Sequence, residues 1–139
     1  KVTYGPFGRG NTEGGDGQLY GVTALGGANG LGAVYKVSLA GAFTPVHSFD
    51  GTGNATVPKG PLFLADDGNM YGTANVVFSL APNNAVTALY TLFDLALEFG
   101  GEAPGNPQAG MIQGTDGDLY GTSPGGGPDN EGTVFKVEL

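Results

Sequence analysis

The chain has no cysteine, no tryptophan and one histidine, and only five of its 139 residues are Lys or Arg. Without cysteine there is no disulfide, no thiolate nucleophile and no thiolate metal site. Five cations stand against 13 carboxylates, a formal net charge of −8. That balance excludes a basic groove tracking nucleic-acid phosphates and a polybasic patch seeking an anionic membrane surface. Apolar runs last only a few residues, far short of the roughly 20 that a spanning helix needs, so no membrane insertion is expected. No signal-peptide pattern opens the chain. It begins with Lys1 rather than Met, as a processed or excised piece would.

Glycine is abundant. The 28 Gly and nine Pro together exceed a quarter of the chain, a fraction that elsewhere signals low complexity. Here the glycines alternate with apolar runs, and eight Phe and six Tyr supply core material, so short strands with regular turns are expected.

One phrase is written three times: "DGQLYGVT" from Asp16, "DGNMYGTA" from Asp67 and "DGDLYGTS" from Asp116. Aligned on the Tyr-Gly pairs (Tyr20-Gly21, Tyr71-Gly72, Tyr120-Gly121), the chain resolves into repeat units of about 10–49, 60–93 and 109–139. Each Asp-Gly lies between extended runs and predicts a tight hairpin of the primed type, with positive φ. The preceding strand is clear in "PLFLAD" at 61–66 and "GMIQGT" at 110–115 but degenerate in "GNTEGG" at 10–15. A glycine-rich loop follows in two units, "ALGGANGLG" at 24–32 and "PGGGPDNEG" at 124–132, and the middle unit omits it. Loss of a segment with both flanks intact marks a surface loop. It lacks the helix and Lys-Ser/Thr of a phosphate-binding loop.

The third strand reads "AVYKVSL" at 33–39, "VVFSLAP" at 76–82 and "TVFKVEL" at 133–139, so Tyr35, Phe78 and Phe135 are equivalent. A fourth strand is predicted at 42–49 and 85–93, with turns at Ala40-Gly41 and Asn83-Asn84. Pro45 suits an edge strand. Long polar connections are expected at 50–60 and 94–109. The run at 88–99 is ambiguous, because Leu92, Leu95, Ala96 and Phe99 would fit a short helix at its end. The fold class predicted is all-β: a propeller-like array of about three four-stranded antiparallel meander blades in a single domain, 1–139. The last unit stops after its third strand, and residues 1–9 are the candidate strand to complete a blade, in this chain or a neighbouring one.

"DGDLYGTSPGGGPDNEGTVFKV", with "PVHSF" at 45–49 and "AGMIQG" at 109–114, resembles the GloVer (Gloeobacter–Verrucomicrobia type) tandem repeat. The resemblance covers most of the chain and is strongest in the first and third units. It implies a secreted or surface-anchored bacterial repeat protein of propeller-like build, with no established enzymatic activity. The middle unit departs from it, lacking the glycine loop and carrying Ser79 where Lys36 and Lys136 stand.

Each candidate site has a structural reading beside a functional one. Asp16, Asp67 and Asp116 are hard oxygen donors in loops and so calcium candidates, but Asp before Gly is already explained by turn chemistry. No cofactor other than calcium is suggested. Tyr20, Tyr71 and Tyr120 would serve either as a sugar-stacking face or as core aromatics beside glycines that permit close sheet packing; the core reading is favoured. Lys36 and Lys136 are edge gatekeepers or partners for a nearby Asp. His47, with no Ser-His-Asp constellation, is read as a strand-packing residue. Asn54 heads an N-A-T triplet, a glycosylation acceptor only in a cell that uses such sites. Nothing in the spacing selects an Asp/Glu pair for hydrolysis.

The functional expectation is a non-enzymatic extracellular or cell-surface protein. Its partner would be itself, head to tail through incomplete blades or strand edges, as a homo-oligomer or filament. The alternative is a carbohydrate-binding, lectin-like module with glycans as partners.

Overall fold

The computed structural model describes residues 10–91, 107–127, 129 and 131–139. Their strands form three antiparallel sheets. The first holds β1 (Thr12–Glu13), β2 (Leu19–Thr23), β3 (Ala33–Val37) and β4 (Phe43–Ser48), in that order. The second holds β5 (Phe63–Leu64), β6 (Met70–Thr73), β7 (Val76–Leu80) and β8 (Val86–Thr91). The third holds β9 (Ile112–Gln113), β10 (Leu119–Ser123) and β11 (Thr133–Val137). The candidate completing strand at 1–9 and the ambiguous helix at 92–99 lie outside the described residues.

Register makes the repeat physical. Gly21 faces Tyr35, Gly72 faces Phe78 and Gly121 faces Phe135 across the central strand pair of each sheet. Added Cβ atoms at these three glycines would lie 2.4–2.5 Å from a terminal atom of the facing ring, because each ring folds over its glycine. The glycine therefore makes room for its own cross-strand partner. The outer pairs share a bulge as well. Val34 faces His47 while Tyr35 faces Pro45, and Val77 faces Tyr90 while Phe78 faces Ala88. His47 and Tyr90 are thus equivalent, and Pro45 sits on the edge strand β4.

The opening strand of the first unit, expected although its sequence is degenerate, is present and pairs Thr12 with Tyr20. Two expectations are corrected. The Asp-Gly hairpins are not primed two-residue turns. Positive φ falls on Gly17, Gly68 and Gly117 alone, and the Asp before each stays out of the left-handed region. Gly17 N–H donates to the Gly14 carbonyl and Gly14 N–H to the Gln18 carbonyl, the pattern of a three-residue loop closed by a glycine bulge. Asp16 Oδ1 accepts the Gln18 N–H at 3.1 Å and holds its own residue in the turn, so a second left-handed residue is not needed. Finally, the connection at 50–60 is not a polar surface linker. It makes a 3-10 turn, Thr52–Asn54, and then buries Ala55, Pro58 and Gly60. Asn54 lies in that turn. Val57 and Lys59 N–H groups donate to the carbonyls of Leu31 and Thr73, tying the connection to the first two sheets.

The sheets stack face to face. Tyr20, Val22 and Val34 of the first sheet pack with Leu62, Met70, Phe78 and Leu80 of the second. Tyr71 and Val77, from the opposite face of the second sheet, pack with Met111, Leu119, Phe135 and Val137 of the third. Each interface therefore joins the Tyr-bearing face of one blade to the ring-over-glycine face of the next. Phe49 bridges the first interface edge-on to Phe78 at 5.2 Å. Neither face of a single meander could stay dry alone, and stacking is what buries both.

Candidate functional site

The Asp and Tyr of the repeated phrase meet in every blade. The Tyr20, Tyr71 and Tyr120 hydroxyls donate to Oδ2 of Asp16, Asp67 and Asp116 at 2.9, 2.7 and 2.6 Å. A Tyr four residues beyond its Asp reaches back over the turn because the bulge directs both to the same face. Partial burial works to raise the Asp16 carboxyl. The Gln18 N–H, the Tyr20 hydroxyl and Lys36 outweigh it, so the group stays below the usual carboxylate range. For Asp116 the Tyr120 hydroxyl is itself the main cause of the lowering. Tyr20 and Tyr71 are raised by burial and then by the carboxylate each one faces.

Tyr20 and Tyr71 are buried and Tyr120 is half-buried, so the three rings do not make an exposed stacking face. Lys36 lies 3.4 Å from Asp16 and Lys136 lies 2.8 Å from Asp118, which bears out the ion-pair reading. The gatekeeper reading fails for Lys36 because β3 is an interior strand. Asp118 and Glu138 hold the Lys136 ammonium above the usual lysine range. His47 packs edge-on against Phe49 at 5.1 Å, and burial lowers its imidazole against a weaker pull from Asp50. The three calcium candidates sit in separate hairpins, and among the described residues no three acidic or histidine side chains gather.

Among the described residues, one concave feature that sequence reasoning missed is a cavity of about 400 Å3 between the first and second sheets. One wall is the first hairpin: Gly14, Gly15, Asp16 and Tyr20. The other is the second blade: Leu64, Gly68, Met70, Leu80, Ala81 and Pro82. Its size lies in the usual range for small-molecule pockets, and its lining combines an apolar floor with a few polar groups. Among the positions at which the two interfaces differ, one changes the hydrogen bonding between hairpins. In the second interface, Gln113 pairs with Leu119, accepts the Asp66 N–H at 3.0 Å and donates to the Gly117 carbonyl at 2.8 Å. Its amide thereby stitches adjacent hairpins together. In the first interface the residue paired with Met70 is Leu64, which can make neither bond. In the sequence this difference reads as Leu64 aligned with Gln113, and its meaning depends on the neighbouring blade.

No family model matches the chain, and no curated protein matches it. Solved structures do. A selenomethionine-substituted virginiamycin B lyase from Staphylococcus aureus superposes with a TM-score of 0.61 at 18% identity, covering 95% of this chain and 42% of that one. A streptogramin B lyase superposes with a TM-score of 0.56 at 16% identity, covering 100% of this chain and 44% of that one. A protein assigned as a gluconolactonase gives a TM-score of 0.56 at 14% identity, covering 94% and 48%. These neighbours bear the names of enzymes, and at such identities the likeness carries the fold alone. The chain spans less than half the length of each. The architecture is all-β and β-propeller-like, as the repeat predicted.

Proposed function

We propose that the chain is a structural and interaction module that associates with further copies of itself, head to tail, by adding blade to blade. One observation carries this reading. Val134 occupies the register position of Val34 and Val77, which are fully buried, yet Val134 is 65% exposed. Ile112, on the same face, is 66% exposed. At the other end the first sheet presents Leu19, Tyr35 and Val37, all half-buried, where the second sheet buries Met70, Phe78 and Leu80 completely. The two end faces are thus of the two kinds that mate at each internal interface. A contact of that sort is heterologous, so it closes a ring or extends a filament. The extracellular or cell-surface setting and the GloVer-type membership belong to this proposal. Light scattering across a concentration series tests it. Mass should grow with concentration for the wild type and stay monomeric for Val134→Lys. A folded wild type that remains monomeric at high concentration overturns the reading.

A second reading, the binding of a small ligand with carbohydrate as one class, is favoured by the cavity of about 400 Å3 between the first two sheets. It does not depend on self-association.

A further inference from the structure

The second interface shows what chemistry the first is missing. Gln113 spans the gap between hairpins with a carboxamide: its oxygen takes an N–H from one hairpin and its nitrogen gives a proton to a carbonyl on the other. In the repeat, Asp66 corresponds to Gly15 and Gly117 corresponds to Gly68, and both of these glycines line the cavity. No described residue hydrogen-bonds the Gly15 N–H or the Gly68 carbonyl. Both glycines are exposed, so water reaches these two groups, and by register they hold the places from which the sister interface grips an amide beside an apolar floor.

We propose that this cavity binds a small neutral ligand through a carboxamide or acetamido group, seated against the Leu64 side chain, which stands at the Gln113 position, and between the Gly15 and Gly68 backbone groups. The ligand oxygen accepts from Gly15 N–H, its amide N–H donates to the Gly68 carbonyl, and its apolar body lies on Leu64, Met70 and Leu80. The Asp16 carboxylate on the wall is paired with Lys36 at 3.4 Å, so its charge is offset and a neutral ligand suits the site. Both an N-acetylated sugar and an amidated or N-acylated amino acid carry this group. The inference rests on the binding reading of the first interface.

The test is amide NMR of the whole chain titrated with N-acetylglucosamine and with N-acetyl-leucinamide, using glucose and leucinol as amide-free controls. At least one amide compound should shift the Gly15 and Gly68 signals and bind about tenfold or more tighter than its control, as two neutral hydrogen bonds imply. Leu64→Gln places the chain's own amide in the gap and should abolish that binding. Which of the two compounds acts distinguishes a sugar source from a peptide source. Controls that bind as well as the amide compounds overturn the amide assignment but leave a binding site. Gly15 and Gly68 signals unmoved by all four compounds overturn the site itself. The comparison of compounds on the wild type stands even if Leu64→Gln does not fold.

Discussion

Val34 and Val134 hold the same place in their sheets, opposite Val22 and Thr122, yet Val34 is completely buried and Val134 is 65% exposed. Among the described residues, a neighbouring blade covers Val34 and none covers Val134. Val34→Ala should cost about 1–3 kcal/mol, since it opens a void at a packed interface. Val134→Ala should stay within about 0.5 kcal/mol in dilute solution, where its face is wet. Urea midpoints of the two variants, read at low protein concentration, check the contrast. Equal losses would mean that Val134 is covered in solution.

Gly72 lies beneath the Phe78 ring, where an added Cβ would meet Cζ at 2.4 Å and Leu62 Cδ2 at 2.8 Å. Its backbone is in ordinary strand conformation, so the constraint is space and not φ. Gly72→Ala should destabilise by about 2 kcal/mol or more by overpacking. In a Phe78→Leu background the same substitution should cost clearly less. A double-mutant cycle measured by denaturation tests this, and additivity would show that the ring is not the obstacle.

Thr73 is buried, with a hydroxyl that has no partner in the described structure, and the equivalent residue in the first blade is Val22. A hydroxyl desolvated without a hydrogen bond is costly, and valine has nearly the same shape. Thr73→Val should therefore stabilise the chain by about 1 kcal/mol. A lower urea midpoint for the variant would reveal an ordered water that satisfies the hydroxyl.

Burial holds His47 below its ordinary value of 6.5, against an opposing pull from Asp50. The folded state disfavours the protonated ring. The stability this group contributes is thus present above pH 6.5 and declines as pH falls below it. His47→Tyr, which copies the equivalent Tyr90, should remove that decline. Thermal unfolding of both proteins between about pH 7 and pH 5 would show it, in a range chosen to stay above ordinary carboxylate titration.

Each Asp–Tyr pair should make the Asp a stability determinant at neutral pH. Asp67 accepts from the Tyr71 hydroxyl at 2.7 Å and from the Asn69 N–H at 2.9 Å. Asp67→Ala should cost about 1–3 kcal/mol through these lost bonds and the half-buried hydroxyl left behind. Partial burial opposes the lowering of the Asp67 carboxyl, but the Tyr71 and Asn69 bonds prevail, so its contribution is present above pH 3.8 and is lost below it. A shallower acid limb for Asp67→Ala in a pH–stability profile is the expected signature.

The repeat was legible because its defining residues answer local needs. Asp before Gly makes a turn, glycine opposite an aromatic leaves room for a ring, and alternation marks a strand; all three act within one hairpin. The exact turn was not legible, since Asp-Gly suits a primed turn and a bulged one, and the deciding bond comes from the Gln18 N–H to Asp16. The buried connection at 50–60 was misread because its polar backbone finds carbonyls on Leu31 and Thr73, far away in sequence.

From residues alone came the all-β class, the three-unit period and the equivalence of Tyr20, Tyr71 and Tyr120. Only the tertiary structure decided which face each blade hides, that Leu64 leaves open what Gln113 closes, and that Val134 stays wet while Val34 is dry. The reason is physical. Strand pairing and turn geometry are short-ranged and written in consecutive residues, whereas burial and cavities belong to the gap between two sheets and exist only once both are in place.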